Sequence, residues 1–190
     1  LAESNHQLAQ QLGDPAILLH SCHLLGRYHR LAGRLLHSQQ VYAEAIWTVD
    51  ETDNVHERAL IQAQQMMLAA LAGSPLEERI EPSSPPPTAY LQRQQQLAQA
   101  YTAWRLGDAP KAVRLCQNSA QDYAGDVLDL AERRFLAADC QPQSRAALLG
   151  LQQASLDTFP SFACAALRLQ ALQSQGEVRR SLLREGLGLA

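Results

Sequence analysis

The sequence predicts an all-α fold, an α-α superhelix (solenoid) of about four to five antiparallel helical hairpins. Three observations lead there. Ala, Leu and Gln dominate the 190 residues and β-branched residues are few, a bias toward helix over strand. Apolar residues recur three and four apart through much of the chain, the spacing of a single helix face. Breaking residues stand at Gly33, Gly73, Gly107, Gln141-Pro142 and Gly176, at intervals of 40, 34, 34 and 35 residues. A near-constant period of that length marks a repeat array, in which each unit buries its apolar face against its neighbours.

The elements come in this order. Glu3 to Leu12 reads as a short helix with Leu8, Ala9 and Leu12 on one side. Gly13-Asp14-Pro15 then supplies a left-handed C′ residue, an N-cap and a first-turn proline. Residues 15–32 carry a stripe of Ile17, Leu18, Ser21, Leu24, Leu25, Tyr28 and Leu31. Gly33 reverses the chain, and residues 34–50 show Leu35, Leu36, Ser38, Tyr42, Ala45 and Ile46. Neither helix can bury its stripe alone, so the two fold back on each other. Asp50, Asp53 and Asn54 break the pattern, and Asp53 or Asn54 caps a helix over 55–72 whose buried side holds Ala59, Leu60, Ala63, Met66, Met67, Ala70 and Leu71.

After Gly73 a partner helix is due, but Pro75, Pro82 and Pro85-Pro86-Pro87 leave room for a turn or two at most. The stretch 75–88 is expected as a Pro-rich insertion or loop, so the second repeat is imperfect. Thr88 opens a long helix to Leu106 bearing Leu91, Leu97, Tyr101 and Trp104. Gly107-Asp108 turns the chain into a helix reaching about Tyr123. Asp126 caps another, with Leu128, Leu130, Ala131, Phe135 and Leu136. Further helices are expected over 146–156, over Phe162 to Leu172, and from Val178 to Leu183, where Gly186 and Gly188 fray the end.

Leu25-Gly26, Gly33, Ser38, Tyr42 and Ala45 stand at the offsets of a Leu-Gly pair, a turn glycine, a small residue, an aromatic and an alanine in one known motif. On these residues the chain resembles the tetratricopeptide repeat (TPR). The resemblance implies that Gly26 admits the second helix closely and that Tyr42 fills the gap between them. It covers about one repeat well; behind Gly107 the positions matching Tyr42 and Ala45 are Cys116 and Ser119. It implies one TPR-like helical-repeat domain over 1–190, a scaffold rather than a named activity.

Composition bounds the partners. A net charge of −3 and a single lysine, Lys111, give no basic footprint for nucleic acid, so none is expected as a direct partner. The C-terminal arginines are interleaved with carboxylates as a mixed surface. No apolar run approaches the roughly 20 residues of a membrane helix. Cys22, Cys116, Cys140 and Cys164 are far apart in helical contexts, which fits buried free thiols in a reducing compartment, cytoplasmic or nuclear. The chain starts at Leu1 already in a helical pattern and is expected to be part of a larger protein.

Candidate chemistry is sparse. His20 and His23 share a helix face with Cys22 between them, a spacing that can hold zinc or copper, but no further ligands stand in register and no metal is expected. Cys22 and His23 are adjacent in sequence and point about 100° apart on a helix, so they make no nucleophilic pair. Phosphate-cradling glycine motifs are missing. The carboxylates Asp50, Glu51 and Asp53 serve as caps at a helix junction. No catalytic residue and no cofactor is expected.

The function expected is therefore a non-catalytic scaffold that holds a partner peptide or helix, within a larger complex, in the groove lined by the first helix of each hairpin. Helix faces nominate His20, His23, Arg27, Gln62, Gln95, Gln99 and Arg134 for that lining. Two other classes remain open. Repeats similar to this, with the Gln-Leu-Gly-Asp-Pro run at 11–15, occur in multidomain bacterial signalling and transcriptional proteins, which implies a ligand-sensing segment. A structural subunit of an assembly, docking through the imperfect second repeat, is the other.

Overall fold

The computed structural model describes residues 2–52, 54–74, 88–117, 127–141, 143–144 and 160–189. The described chain is all helical, with nine helices and no strand among those residues. They are α1 (Ala2–Leu12), α2 (Pro15–Leu31), α3 (Leu35–Thr52), α4 (Val55–Ala72), α5 (Ala89–Arg105), α6 (Ala109–Gln117), α7 (Val127–Cys140), α8 (Pro160–Gln173) and α9 (Gly176–Leu189). The Pro-rich tract from 75 to 87, the Asp126 cap and the helix expected over 146–156 lie outside the described residues. The helices form two compact units, Leu1–Ala98 and Gln99–Ala190.

Local signals set the helix ends. The Asp14 carboxylate accepts from the Ala16 and Ile17 amides at 2.8 and 3.3 Å ahead of Pro15, and Asn54 accepts from Glu57 at 3.2 Å. Thr88 and Asp108 do the same for α5 and α6. Gly33, Gly73 and Gly107 all have φ between 70° and 80°, and behind each the next amide reaches back five residues: Arg34 to His29, Ser74 to Ala69 and Asp108 to Ala103. One Schellman-type stop is thus used three times, where a Cβ would be strained. Gly176 also has positive φ, but it begins α9 instead of closing α8, and α9 runs on through Gly186 and Gly188 to Leu189.

The core of the first unit lies between α2, α3 and α4, around Leu19, Cys22, Leu25, Tyr42, Ala45 and Ile61. Here the expected stripe of α2 holds at Ser21, Leu25 and Leu31 and is corrected at two positions. Ile17 and Leu24 are half exposed, while Leu19, Cys22, His23, Gly26, Arg27 and Arg30 are buried. The reason is that α2 touches α1, α3 and α4, and a helix with three neighbours has little free face left. Leu36, assigned to the buried side of α3, is 75% exposed; Val41 and Val49 take that role. Likewise Ala9 and His6, not Leu8 and Leu12, are buried on α1.

α2 and α3 come close together at Gly26. A Cβ there would come within 2.5 Å of the Tyr42 ring, which is fully buried. Ser38 donates to the Gly26 carbonyl at 2.8 Å from the same side. Glycine, a small hydroxyl residue and an aromatic therefore interlock across the hairpin.

In the second unit α6 packs on α7, α7 on α8 and α8 on α9. Tyr101, Ala112, Cys116, Ala131, Leu136, Ala166 and Leu169 are buried there. Trp104 packs edge-on against Phe135.

Candidate functional site

Two surface grooves and a buried polar ladder in the first unit are the features with recognition chemistry. The ladder runs from helix to helix. Arg30 on α2 donates to Gln64 Oε1 on α4 at 3.1 Å, and Tyr42 on α3 donates to the same oxygen at 3.4 Å. Gln64 Nε2 then donates to Gln94 Oε1 on α5 at 2.7 Å. Arg30, Gln64 and Gln94 are all buried, so these hydrogen bonds are made inside protein instead of in water. His23 on α2 is buried as well and hydrogen-bonds the Tyr90 hydroxyl of α5 at 2.9 Å.

The first groove, about 360 Å³, lies between α3 and α4 near the ends marked by Gly33 and Gly73. Leu35, Leu36, Met66 and Ala69 give it apolar walls, and Gln39, Gln62 and Gln65 give it carboxamides. The second, about 430 Å³, lies between α1 and α2, lined by Leu8, Leu12, Ile17 and Leu24 with His20 and Asn5. Among the described residues neither lining contains an Asp, Glu, Lys or Arg side chain. Such walls recognise neutral surface by apolar burial, the amides adding donors and acceptors that fit a backbone or an uncharged polar group.

The residues nominated from the sequence separate. His20 lines the α1–α2 groove and Gln62 the α3–α4 groove. His23 and Arg27 are buried and line neither groove. Gln95 is half buried on α5. Gln99 and Arg134 belong to the second unit, exposed and half buried respectively. Sequence reasoning placed Leu36 in the buried stripe and did not nominate Gln39 or Gln65; the position of Leu36 one residue out of phase with Leu35, Ser38 and Tyr42 was the available signal.

The thiol chemistry also differs in its neighbours. Cys22 Sγ lies 3.9 Å from Nδ1 of His6 on α1, not beside His23. That nitrogen is 3.0 Å from Ser21 Oγ, whose own hydrogen goes to the Leu18 carbonyl at 2.7 Å; the hydroxyl therefore accepts from Nδ1–H. Gln10 Nε2 donates to the opposite ring nitrogen at 3.0 Å. With its Nδ1 proton committed to Ser21, His6 has no basic nitrogen facing the thiol. Burial pushes the Cys22 thiol up to about 11, and Glu44 adds to it. Burial also raises Cys140 to about 11 and Cys116 to about 12, the latter against the opposing effect of Arg133. These three thiols are expected to resist alkylation by iodoacetamide at about pH 8 in the folded chain and to react fully in urea. Rapid labelling of Cys22 or Cys116 in the native state, read by mass spectrometry, contradicts this placement. Among the described residues no group of three His, Cys, Asp or Glu side chains stands close enough to hold a metal ion.

One titration bears on the hairpin turn. His29 packs on His37 with ring centroids 5.4 Å apart. Its pKa is lowered from the ordinary 6.5 by burial first, then by His37 and Arg34, with Glu3 acting the other way. The folded state thus favours neutral His29. Well above pH 6.5 both states leave it neutral and it adds no pH dependence; as pH falls through that value the unfolded chain takes up the proton more readily and stability drops, until folded His29 protonates too. Melting curves from about pH 8 to about pH 5 are expected to show this decline, and His29→Gln to flatten it; an unchanged slope in the variant contradicts the assignment.

Compared with protein-family models, with curated proteins and with solved structures, the chain has no match in any of the three.

Proposed function

We propose that the chain is a TPR-like run of helical hairpins that serves as a non-catalytic protein–protein interaction module, holding a partner peptide or helix in a groove between its helices. The observation that carries this reading is the sequence separation of five side-chain hydrogen bonds between helices. Arg30–Gln64 spans 34 residues and Gln64–Gln94 spans 30. In the second unit Tyr101–Glu132 spans 31, Trp104–Asp139 spans 35 and Asp139–Arg168 spans 29. Contacts that recur one repeat apart are what stacked repeats make, since each unit touches its neighbours. Gly26, Ser38 and Tyr42 interlock as the resemblance implies, which supports the same reading.

The functional half rests on the surface. Leu12 is 61% exposed and Leu36 75%, each beside a groove whose described walls carry no Asp, Glu, Lys or Arg. Apolar strips of this kind favour a macromolecular surface over a small ligand enclosed from water. No described helix is long and apolar enough to cross a membrane.

The test is affinity capture from native extract on the immobilised full chain, beside a surface-charged version carrying Leu12→Glu, Leu36→Glu and Gln62→Glu. The reading expects a reproducible set of proteins on the native chain that the charged version loses. Identical capture by both, or none above background, overturns it.

A further inference from the structure

The outward face of α3 carries the two most exposed large apolar side chains among the described residues, Trp47 at 77% and Leu36 at 75%. They lie on one line. With Gln40 and Ala43, also exposed, they stand at intervals of four, three and four residues, which a helix gathers within about 60° of its circumference. Tyr42, Ala45 and Val49 take the opposite side and are buried in the core of the unit. α3 thus has one apolar seam turned inward and a second, shorter one turned to water, where its exposure costs free energy that a covering surface would recover.

The order of residues along the seam says what covers it. Its four-three-four spacing reads the same from both ends. A two-fold axis passing between Val41 and Tyr42 sets Leu36 against Trp47 of a second copy and Gln40 against Ala43, each layer twice. Bulky apolar pairs then close the ends, and a long side chain lies beside a methyl group in the middle. The charges agree with that axis. His37 and Glu44 are exposed and border the seam on one side, about 20° apart round the helix. The axis keeps that side common to both copies and brings His37 of each to within about 3 Å of the level of Glu44 in the other. A parallel pairing would set Glu44 against Glu44 instead.

We infer that a second copy of this chain covers the face, α3 against α3 and antiparallel, in an isologous contact. From Leu36 to Trp47 the seam rises about 16 Å, three helical turns, so the dimer is a weak, concentration-dependent one. The inference goes beyond the partner reading above. Leu36 also borders the α3–α4 groove, but Trp47 lines neither groove, so Trp47 separates the two.

Sedimentation of the full chain from about 5 to about 500 µM reads the dimer directly. The expected result is monomer at the low end and dimer at the high end. Trp47→Glu and Leu36→Glu should each move the transition about tenfold or more to higher concentration, and Leu12→Glu should leave it in place. All three side chains are exposed, so native helix content is expected in each variant, and far-ultraviolet circular dichroism checks it. Disulfide trapping reads the register separately. A mixture of Gln40→Cys and Ala43→Cys chains should cross-link faster than either variant alone, because only the mixture sets two new thiols level across the axis. Glu44→Arg should weaken the dimer about threefold, the scale of an exposed ion pair, and His37→Glu in the same chain should restore it.

Monomer throughout the concentration range overturns the proposal. A dimer that survives Trp47→Glu with its helices intact overturns it too, since the contact then lies elsewhere. Faster cross-linking of either cysteine variant by itself contradicts the antiparallel register and has the same consequence. Each of these results leaves the partner reading to be decided by affinity capture.

Discussion

Gly26→Ala is expected to destabilise the first unit by about 1–3 kcal/mol, the usual cost of forcing a methyl group into a closed contact. The sign makes this a sharp test. At an open position in the middle of a helix, the same substitution stabilises by up to about 1 kcal/mol, because alanine is the better helix former. Here the new Cβ meets the Tyr42 ring at 2.5 Å, and that ring is fully buried and hydrogen-bonded to Gln64, so it has nowhere to retreat. Tyr42→Leu alone leaves a void; combined with Gly26→Ala it should cost less than the two singles together, by about 1 kcal/mol. Urea unfolding monitored by circular dichroism, with amide exchange to localise the loss to α2 and α3, measures both. A neutral or stabilising Gly26→Ala means that the two helices do not meet there.

Gln64→Leu carries the second large effect, a loss of about 2–3 kcal/mol, the range for hydrogen bonds to a charged group plus an amide partner. Its carboxamide ties α4 to Arg30 of α2 on one side and to Gln94 of α5 on the other, and it is fully buried. A leucine of similar size fills the space but removes an acceptor from Arg30 and a donor from Gln94. Gln94→Leu in the same chain should recover part of the loss, since an apolar pair is better tolerated than a polar group facing a methyl. Equal costs for the double variant and for the sum of the singles argue that the two carboxamides are independent.

The parts of this structure that were legible in the sequence are those set by local chemistry. Asp14, Asn54, Thr88 and Asp108 cap where their side chains predict, because an N-cap needs only the next turn of backbone. Gly33, Gly73 and Gly107 turn where positive φ is required. The Gly26–Tyr42 contact was legible through the resemblance. On α2 the stripe held at Ser21, Leu25 and Leu31, which are buried, and failed at Ile17 and Leu24. A stripe argument presumes one buried side, but α2 is enclosed by three helices, and its polar His23, Arg27 and Arg30 are drawn inside with Leu19 and Cys22. Burial of Arg30 and His23 goes with Gln64, 34 residues away, and Tyr90, 67 residues away, and no local window contains such partners. The nominated groove residues inherited that difficulty: His20 and Gln62 reach open grooves, whereas His23 and Arg27 are enclosed.

The central claim is that hairpins one repeat apart are joined by defined side-chain contacts. A side-chain contact map in solution, from nuclear Overhauser effects on the labelled full chain, tests it most directly. The account predicts cross-peaks from Gly26 to Tyr42, from the Arg30 side chain to Gln64 and from Gln64 to Gln94, together with Tyr101 to Glu132 and the Trp104 indole proton to the Asp139 side chain. A map in which α2 meets neither α3 through Gly26 nor α4 through Arg30 would contradict it.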